Sequence, residues 1–114
     1  MKHNITQFIE AFESNPIPIT LSGKDYIINK IENQFIVFPR LCPHANGDLL
    51  KATTINWQLT CMNHGLCFDL RSGKLITESL DVDILENINN TEILKLKIDI
   101  YNIMYEDNKW YVSI

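Results

Sequence analysis

The sequence predicts an all-β domain with one short helix at its N-terminal end. Three observations carry that reading. Apolar and polar residues alternate in several short segments, the pattern of strands with one buried face. Turn-forming runs such as Ser22-Gly23-Lys24, Glu32-Asn33-Gln34 and Arg71-Ser72-Gly73 separate those segments. A helical period occurs only near the start. The 114 residues are expected to form a single domain, 1–114, with room for one core.

Taken in order, Asn4 is placed to cap a helix, with Gln7 three residues on. Ile5, Phe8, Ile9 and Phe12 then share one apolar face, and Asn15-Pro16 ends the helix. That face is expected to pack on the domain's own core, with contact to a partner as the alternative. Ile17, Ile19 and Leu21 alternate with Pro18 and Thr20 as a first strand. Tyr26 to Ile31 and Phe35 to Phe38 read as two more, the last closed by Pro39. Trp57 to Thr60 is a strand leading into Cys61, and Phe68 to Leu70 pairs with Leu75 to Thr77 as a short hairpin. Residues 79–92, rich in Asp, Glu and Asn, suit a solvated loop. Leu94, Leu96, Ile98 and Ile100 alternate strictly with Lys95, Lys97 and Asp99, which predicts a half-buried strand. Tyr101 to Tyr105 and Trp110 to Ile114 form a closing hairpin around a turn at Glu106 to Lys109.

Apolar residues make up 46% of the chain and charged residues 21%, an ordinary globular balance. No apolar run approaches the length of a membrane span. Met1 to Ser14 has neither the apolar run of a secretory signal nor the arginines of a transit peptide, so a cytoplasmic location is expected. Ten Lys and Arg against fourteen Asp and Glu give a net charge of −4. No basic patch stands out, which argues against nucleic-acid binding. The acid surplus suits docking to a positive surface, or simply ordinary cytoplasmic composition.

The scarce residues are the most informative. There are three Cys and three His. An odd number of Cys in a reducing compartment makes a disulfide framework a poor reading. Cys42-Pro43-His44 is one tight pair and Cys61-Met62-Asn63-His64 another, with sixteen residues, Ala45 to Thr60, between them. Three readings compete: buried structural Cys and His, a zinc site, or an iron–sulfur cluster with two Cys on one iron and two His on the other. Zinc sites usually group like ligands, whereas each pair here mixes a thiol with an imidazole.

The pattern resembles the Rieske [2Fe–2S] family. Cys42-Pro43-His44-Ala45-Asn46-Gly47-Asp48-Leu49 is similar to the family's first cluster loop. The run from Cys61 to Gly73, with its HG, FDL and SG signatures, is similar to the second. The resemblance implies stacked antiparallel sheets with a small cluster-binding subdomain at one end, its loops at about 40–49 and 60–73. It assigns Cys42 and Cys61 to one iron, and His44 and His64 to the other. The family usually has Gly two residues after the first His. Asn46 stands there instead, a residue that tolerates left-handed backbone.

The ligand types have a chemical reason. Two ferric ions, two sulfides and two thiolates sum to zero formal charge, whereas an all-thiolate site carries two negative charges. A neutral site accepts an electron more readily, so His ligation raises the potential. Gly47 and Gly65 let backbone approach the sulfurs, and Pro43 stiffens the span between two ligands. High-potential relatives carry a Ser directly after the HG and a Tyr two residues later, both donating hydrogen bonds to the cluster. Leu66 and Phe68 stand there and can donate none. The potential is therefore expected in the lower part of the Rieske range of about −150 to +300 mV. The high-potential relatives also tie their loops with an extra Cys pair. Cys67 has no partner in the first loop and is expected to be a small buried apolar residue. His3 is assigned no role.

The resemblance implies a Rieske-type ferredoxin, a one-electron carrier that takes electrons from a reductase and passes them to an oxygenase or similar acceptor by weak, transient docking. Leu49 and Leu66 are expected either to form an apolar docking rim or to pack between the loops. The alternatives are a small Rieske subunit of a larger oxygenase or nitrite-reductase-like enzyme, and a Cys/His zinc-binding module. Rieske oxygenases also need a 2-His-1-carboxylate iron site. Only His3 remains after the cluster takes two, so no such site fits within these residues. The sequence leaves the oligomeric state, the donor and the acceptor open.

Overall fold

Residues 1–43, 47–62, 65–76 and 95–114 are described by the computed structural model, and within them nearly all regular structure is antiparallel β. The strands are β1 (Lys2–Asn4), β2 (Ile17–Leu21), β3 (Lys24–Ile31), β4 (Gln34–Pro39), β5 (Thr53–Ile55), β6 (Gln58–Thr60), β7 (Cys67–Asp69), β8 (Tyr101–Glu106) and β9 (Lys109–Ser113). A single α-helix, α1, spans Thr6–Ala11, and a 3-10 turn spans Leu49–Lys51. Six strands form one sheet in the order β1-β9-β8-β4-β3-β2, and β5-β6-β7 form a second, smaller sheet. The all-β expectation with a short N-terminal helix holds, and so does the small subdomain.

The hairpins follow from turn chemistry. Ser22-Gly23, Glu32-Asn33 and Asp107-Asn108 each join neighbouring strands, and both residues of each pair have positive φ. That is the twist-matched two-residue turn, tighter than the three- and four-residue turns expected from the sequence. The strand pairs β2–β3 and β3–β4 are long, whereas β4 meets β8 at only two positions, Ile36↔Asn102 and Val37↔Tyr101. β4 and β8 are antiparallel neighbours, so the chain between them leaves and re-enters at one end of the large sheet. The small sheet and both Cys-bearing loops lie within that excursion.

Side chains on β3 alternate between two cores. Ile27 and Ile31, with Ile36 and Phe38 of β4, face the subdomain and pack with Leu59, Phe68, Leu70 and Ile98. Tyr26, Ile28 and Val37 face the other way and pack with Ile5, Ile9, Ile19 and Val112. The helix therefore covers its own domain, as expected, and Phe12 sets its ring edge-on to Phe35 with centroids 5.3 Å apart.

Four details differ from the sequence reading. Ile5, not Asn4, occupies the helix cap position; Asn4 ends β1, and its Oδ1 accepts from the Thr6 N–H at 3.0 Å and the Thr6 hydroxyl at 2.6 Å. His3 sits in β1 opposite Val112, where no strand was expected, because Lys2-His3-Asn4 has no apolar alternation to announce it. β5 was also missed, although Thr53-Thr54-Ile55 is wholly β-branched. The expected strand 94–100 is the most instructive. Over Lys95 to Ile100 the predicted alternation of burial is present, but the segment makes only one isolated bridge, Lys97 to Lys74. Its apolar side chains are held by the core under the small sheet rather than by a ladder. The predicted loop 79–92, together with Thr77 and Leu94, lies outside the described residues.

Candidate metal centre

The first loop leaves the end of β4. Leu41 bridges Asp48, the Cys42 N–H donates to the Gly47 carbonyl at 2.7 Å, and the Leu49 N–H donates to the Arg40 carbonyl at 2.7 Å. Arg40 forks onto Asp48 through Nε to Oδ1 at 2.9 Å and Nη2 to Oδ2 at 3.0 Å. Asp48 Oδ1 also accepts from the Leu50 N–H at 3.0 Å, opening the 3-10 turn. The hydrogen bonds from Arg40, then from the Leu50 N–H, hold the Asp48 carboxyl at about 2, well below its ordinary value. The same pairing raises the Arg40 guanidinium.

The second loop joins β6 to β7. The Cys61 N–H donates to the Leu66 carbonyl at 2.9 Å, five residues on, the same separation as Cys42 to Gly47. Below it the strands pair as Thr60↔Cys67, Leu59↔Phe68 and Gln58↔Asp69. Thr60 Oγ1 and Cys67 Sγ share a hydrogen bond of 3.1 Å, and the Cys67 thiol donates to the Gly65 carbonyl at 3.7 Å. Gly65 has φ +67, a conformation that suits glycine at the loop's return. Behind the hairpin, Gly73 lies so close to the Ile98 carbonyl that no Cβ fits, and the Ile98 N–H donates to the Gly73 carbonyl at 2.7 Å.

These two loops bring Cys42 and Cys61, nineteen positions apart in the sequence, into one buried cluster with Leu49, Leu66 and Phe68. Two buried thiols at matched loop positions suit a metal centre with two thiolate donors. His44 and His64 lie outside the described residues. Leu49 and Leu66 are 3% and 1% exposed, so they pack inside and do not form a docking rim. Among the described residues of these two loop tips, Leu41 at 58%, Pro43, Met62 at 72% and Gly65 are exposed. Sequence reasoning passed over Leu41, which precedes the first ligand motif, and Met62, which lies inside the second as a spacer between two ligands. Cys67 is half-buried and hydrogen-bonded, more polar in its setting than the apolar role expected of it.

A β protein that brings two buried thiols together on two loops has the makings of a metal-binding domain. The profile of the Rieske [2Fe-2S] domain matches residues 6–86, and the chain belongs to that family. The cofactor of such a domain is a [2Fe–2S] cluster, and the two buried thiols fit it. No curated protein matches the sequence significantly. Among solved structures, the Sphingomonas yanoikuyae B1 ferredoxin is similar, with TM-score 0.70 and 16% identity over 100% of this chain and 99% of that one. The ferredoxin of carbazole 1,9a-dioxygenase from Nocardioides aromaticivorans IC177 gives TM-score 0.70 and 15% identity over 98% and 96%. The terminal oxygenase of carbazole 1,9a-dioxygenase from Novosphingobium sp. KA1 gives TM-score 0.73 and 18% identity over 99% of this chain and 29% of the oxygenase. The chain thus spans nearly the whole of the ferredoxins but under a third of the oxygenase. At these identities the likeness is one of fold. Among the described residues no helix is long and apolar enough to cross a membrane.

Proposed function

We propose that this protein is a Rieske-type ferredoxin, a one-electron carrier between a reductase and a terminal oxygenase or similar acceptor, working as one domain in the cytoplasm. The observation that carries this reading is the pair of buried thiols, Cys42 and Cys61, on loops closed by the same five-residue backbone bond within a Rieske-family chain. Cys42 and Cys61 hold one iron, and His44 and His64 the other. The cluster, when bound, supplies a site that stores a single electron. The chain's own residues set the conditions for that storage. Leu66 and Phe68 are fully packed apolar side chains where hydroxyl donors would raise the potential, which supports the lower part of the range.

The similar ferredoxins and the similar terminal oxygenase of carbazole dioxygenases support a partner of the oxygenase kind. Docking runs through the exposed Leu41, next to the first ligand motif, and through Pro43 and Met62, the spacers within the two motifs. Neither 41–47 nor 61–67 contains an Asp, Glu, Lys or Arg, so the net negative charge sits elsewhere and the contact is small and apolar. Anaerobic purification followed by metal and sulfide analysis tests the reading. About two iron and two acid-labile sulfide per chain are expected, with a midpoint potential below roughly +100 mV. One zinc without sulfide overturns it.

A further inference from the structure

We propose that Arg40 and Asp48 are positioning residues for the cluster, a charged clasp that keeps the first loop in ligand-holding geometry. The inference rests on the Rieske-ferredoxin reading above. The second loop is closed below its ligand by the three paired positions of β6 and β7. Among the described residues the first loop has no such ladder: β4 ends at Pro39, and beneath Cys42 one isolated bridge, Leu41↔Asp48, with its Leu49-to-Arg40 backbone bond, supplies the strand-like pairing. The clasp lies at that weak point. Its two hydrogen bonds tie residue 40 to residue 48 just outside the Cys42-to-Gly47 bond. The Arg40 N–H donates to the Asp25 carbonyl at 3.1 Å, which roots the clasp at the start of β3, and the Asp48 carboxylate fixes the exit of the loop through the Leu50 N–H. A planar fork matches a carboxylate at two points and so fixes orientation as well as distance. The pair adds no net charge beside the cluster.

The test uses holoprotein purified anaerobically as wild type, Arg40→Met, Asp48→Asn and the reversed pair Arg40→Asp/Asp48→Arg. Cluster loss is followed by EPR after addition of the ferrous chelator bathophenanthroline disulfonate, with thermal melting and midpoint potential read on the same samples. Each single variant is expected to lose its cluster about tenfold faster, the low end for groups that support metal ligands. Melting should change little, and the reversed pair should recover most of the lifetime. The potential should rise in Asp48→Asn, which leaves a cation uncompensated, and fall in Arg40→Met. Single variants that hold the cluster as long as wild type overturn the clasp, as do potentials that move in the same direction or a reversed pair no better than the singles. Should a single variant not fold, the reversed pair decides alone: a wild-type lifetime supports the clasp and a short one overturns it. Wild-type protein without iron or sulfide sinks the cluster reading, and the clasp with it.

Discussion

The two cluster loops are closed by the same backbone bond but supported differently. Cys42 and Cys61 each donate to a carbonyl five residues ahead. Beneath Cys61 lies a regular hairpin, cross-linked by Thr60 and Cys67 and backed by the tight contact of Gly73 with the Ile98 carbonyl. Beneath Cys42 lies one bridge and an ion pair. Both loops pack into one core, but the second adds a three-position strand ladder and the first a forked ion pair. Loss of charge should therefore act on the first loop, and distortion of the hairpin on the second.

Ligand replacement erases the difference and should have the largest effect. Cys42→Ser, Cys61→Ser and His64→Ala are each expected to abolish the cluster while far-UV circular dichroism still reports a β fold. An intact, redox-active cluster in His64→Ala would remove that residue from the ligand set. The next effect probes the packing behind the second loop. Gly73→Ala forces a Cβ into the Ile98 carbonyl at φ +79 and is expected to cost about 3–5 kcal/mol, the range of severe backbone and packing lesions. Gly23→Ala shares the same φ in the β2–β3 turn, but its Cβ would meet open space, so only the left-handed penalty of about 1–2 kcal/mol applies. Urea unfolding of both variants reads the collision as the difference.

How much of this was legible beforehand depends on which forces were local. Strands β2, β3, β4, β8 and β9 follow from alternation and turn residues within a few positions of each other. The ligand motifs were legible because Cys and His are rare and fall in two tight pairs. The segment around Ile98 shows the limit. Its alternation correctly gave which side chains are buried, but alternation reports burial, not hydrogen-bond partners. The same limit left Leu49 and Leu66 open between rim and interior, because their burial depends on where two distant loops fold over one core. Asp48 carried no signal of its own: only the structure shows that it faces Arg40, eight residues away.

Two smaller effects sharpen the contrast. The absence of Asp, Glu, Lys and Arg from 41–47 and 61–67 predicts that electron exchange with a protein acceptor changes by less than about threefold between low and high salt, against the tenfold or more of steered pairs. Met62→Gln should slow that exchange without moving the potential, as stopped-flow mixing against the acceptor would show. The smallest effect concerns pH and the first loop alone. The Asp48 carboxyl is held at about 2, so its contribution to stability is present above pH about 4 and is lost as the pH falls toward 2. Asp48→Asn should flatten the acid limb of the stability curve in that window, and an unchanged acid limb would contradict the assignment.

The measurement that bears most directly on the whole account is EPR of the dithionite-reduced protein, with nitrogen couplings resolved by pulsed methods. A reduced [2Fe–2S] signal coupled to two imidazole nitrogens is the result expected of Cys42, His44, Cys61 and His64 acting together. A signal without nitrogen coupling, or an EPR-silent protein that binds zinc instead, would contradict it.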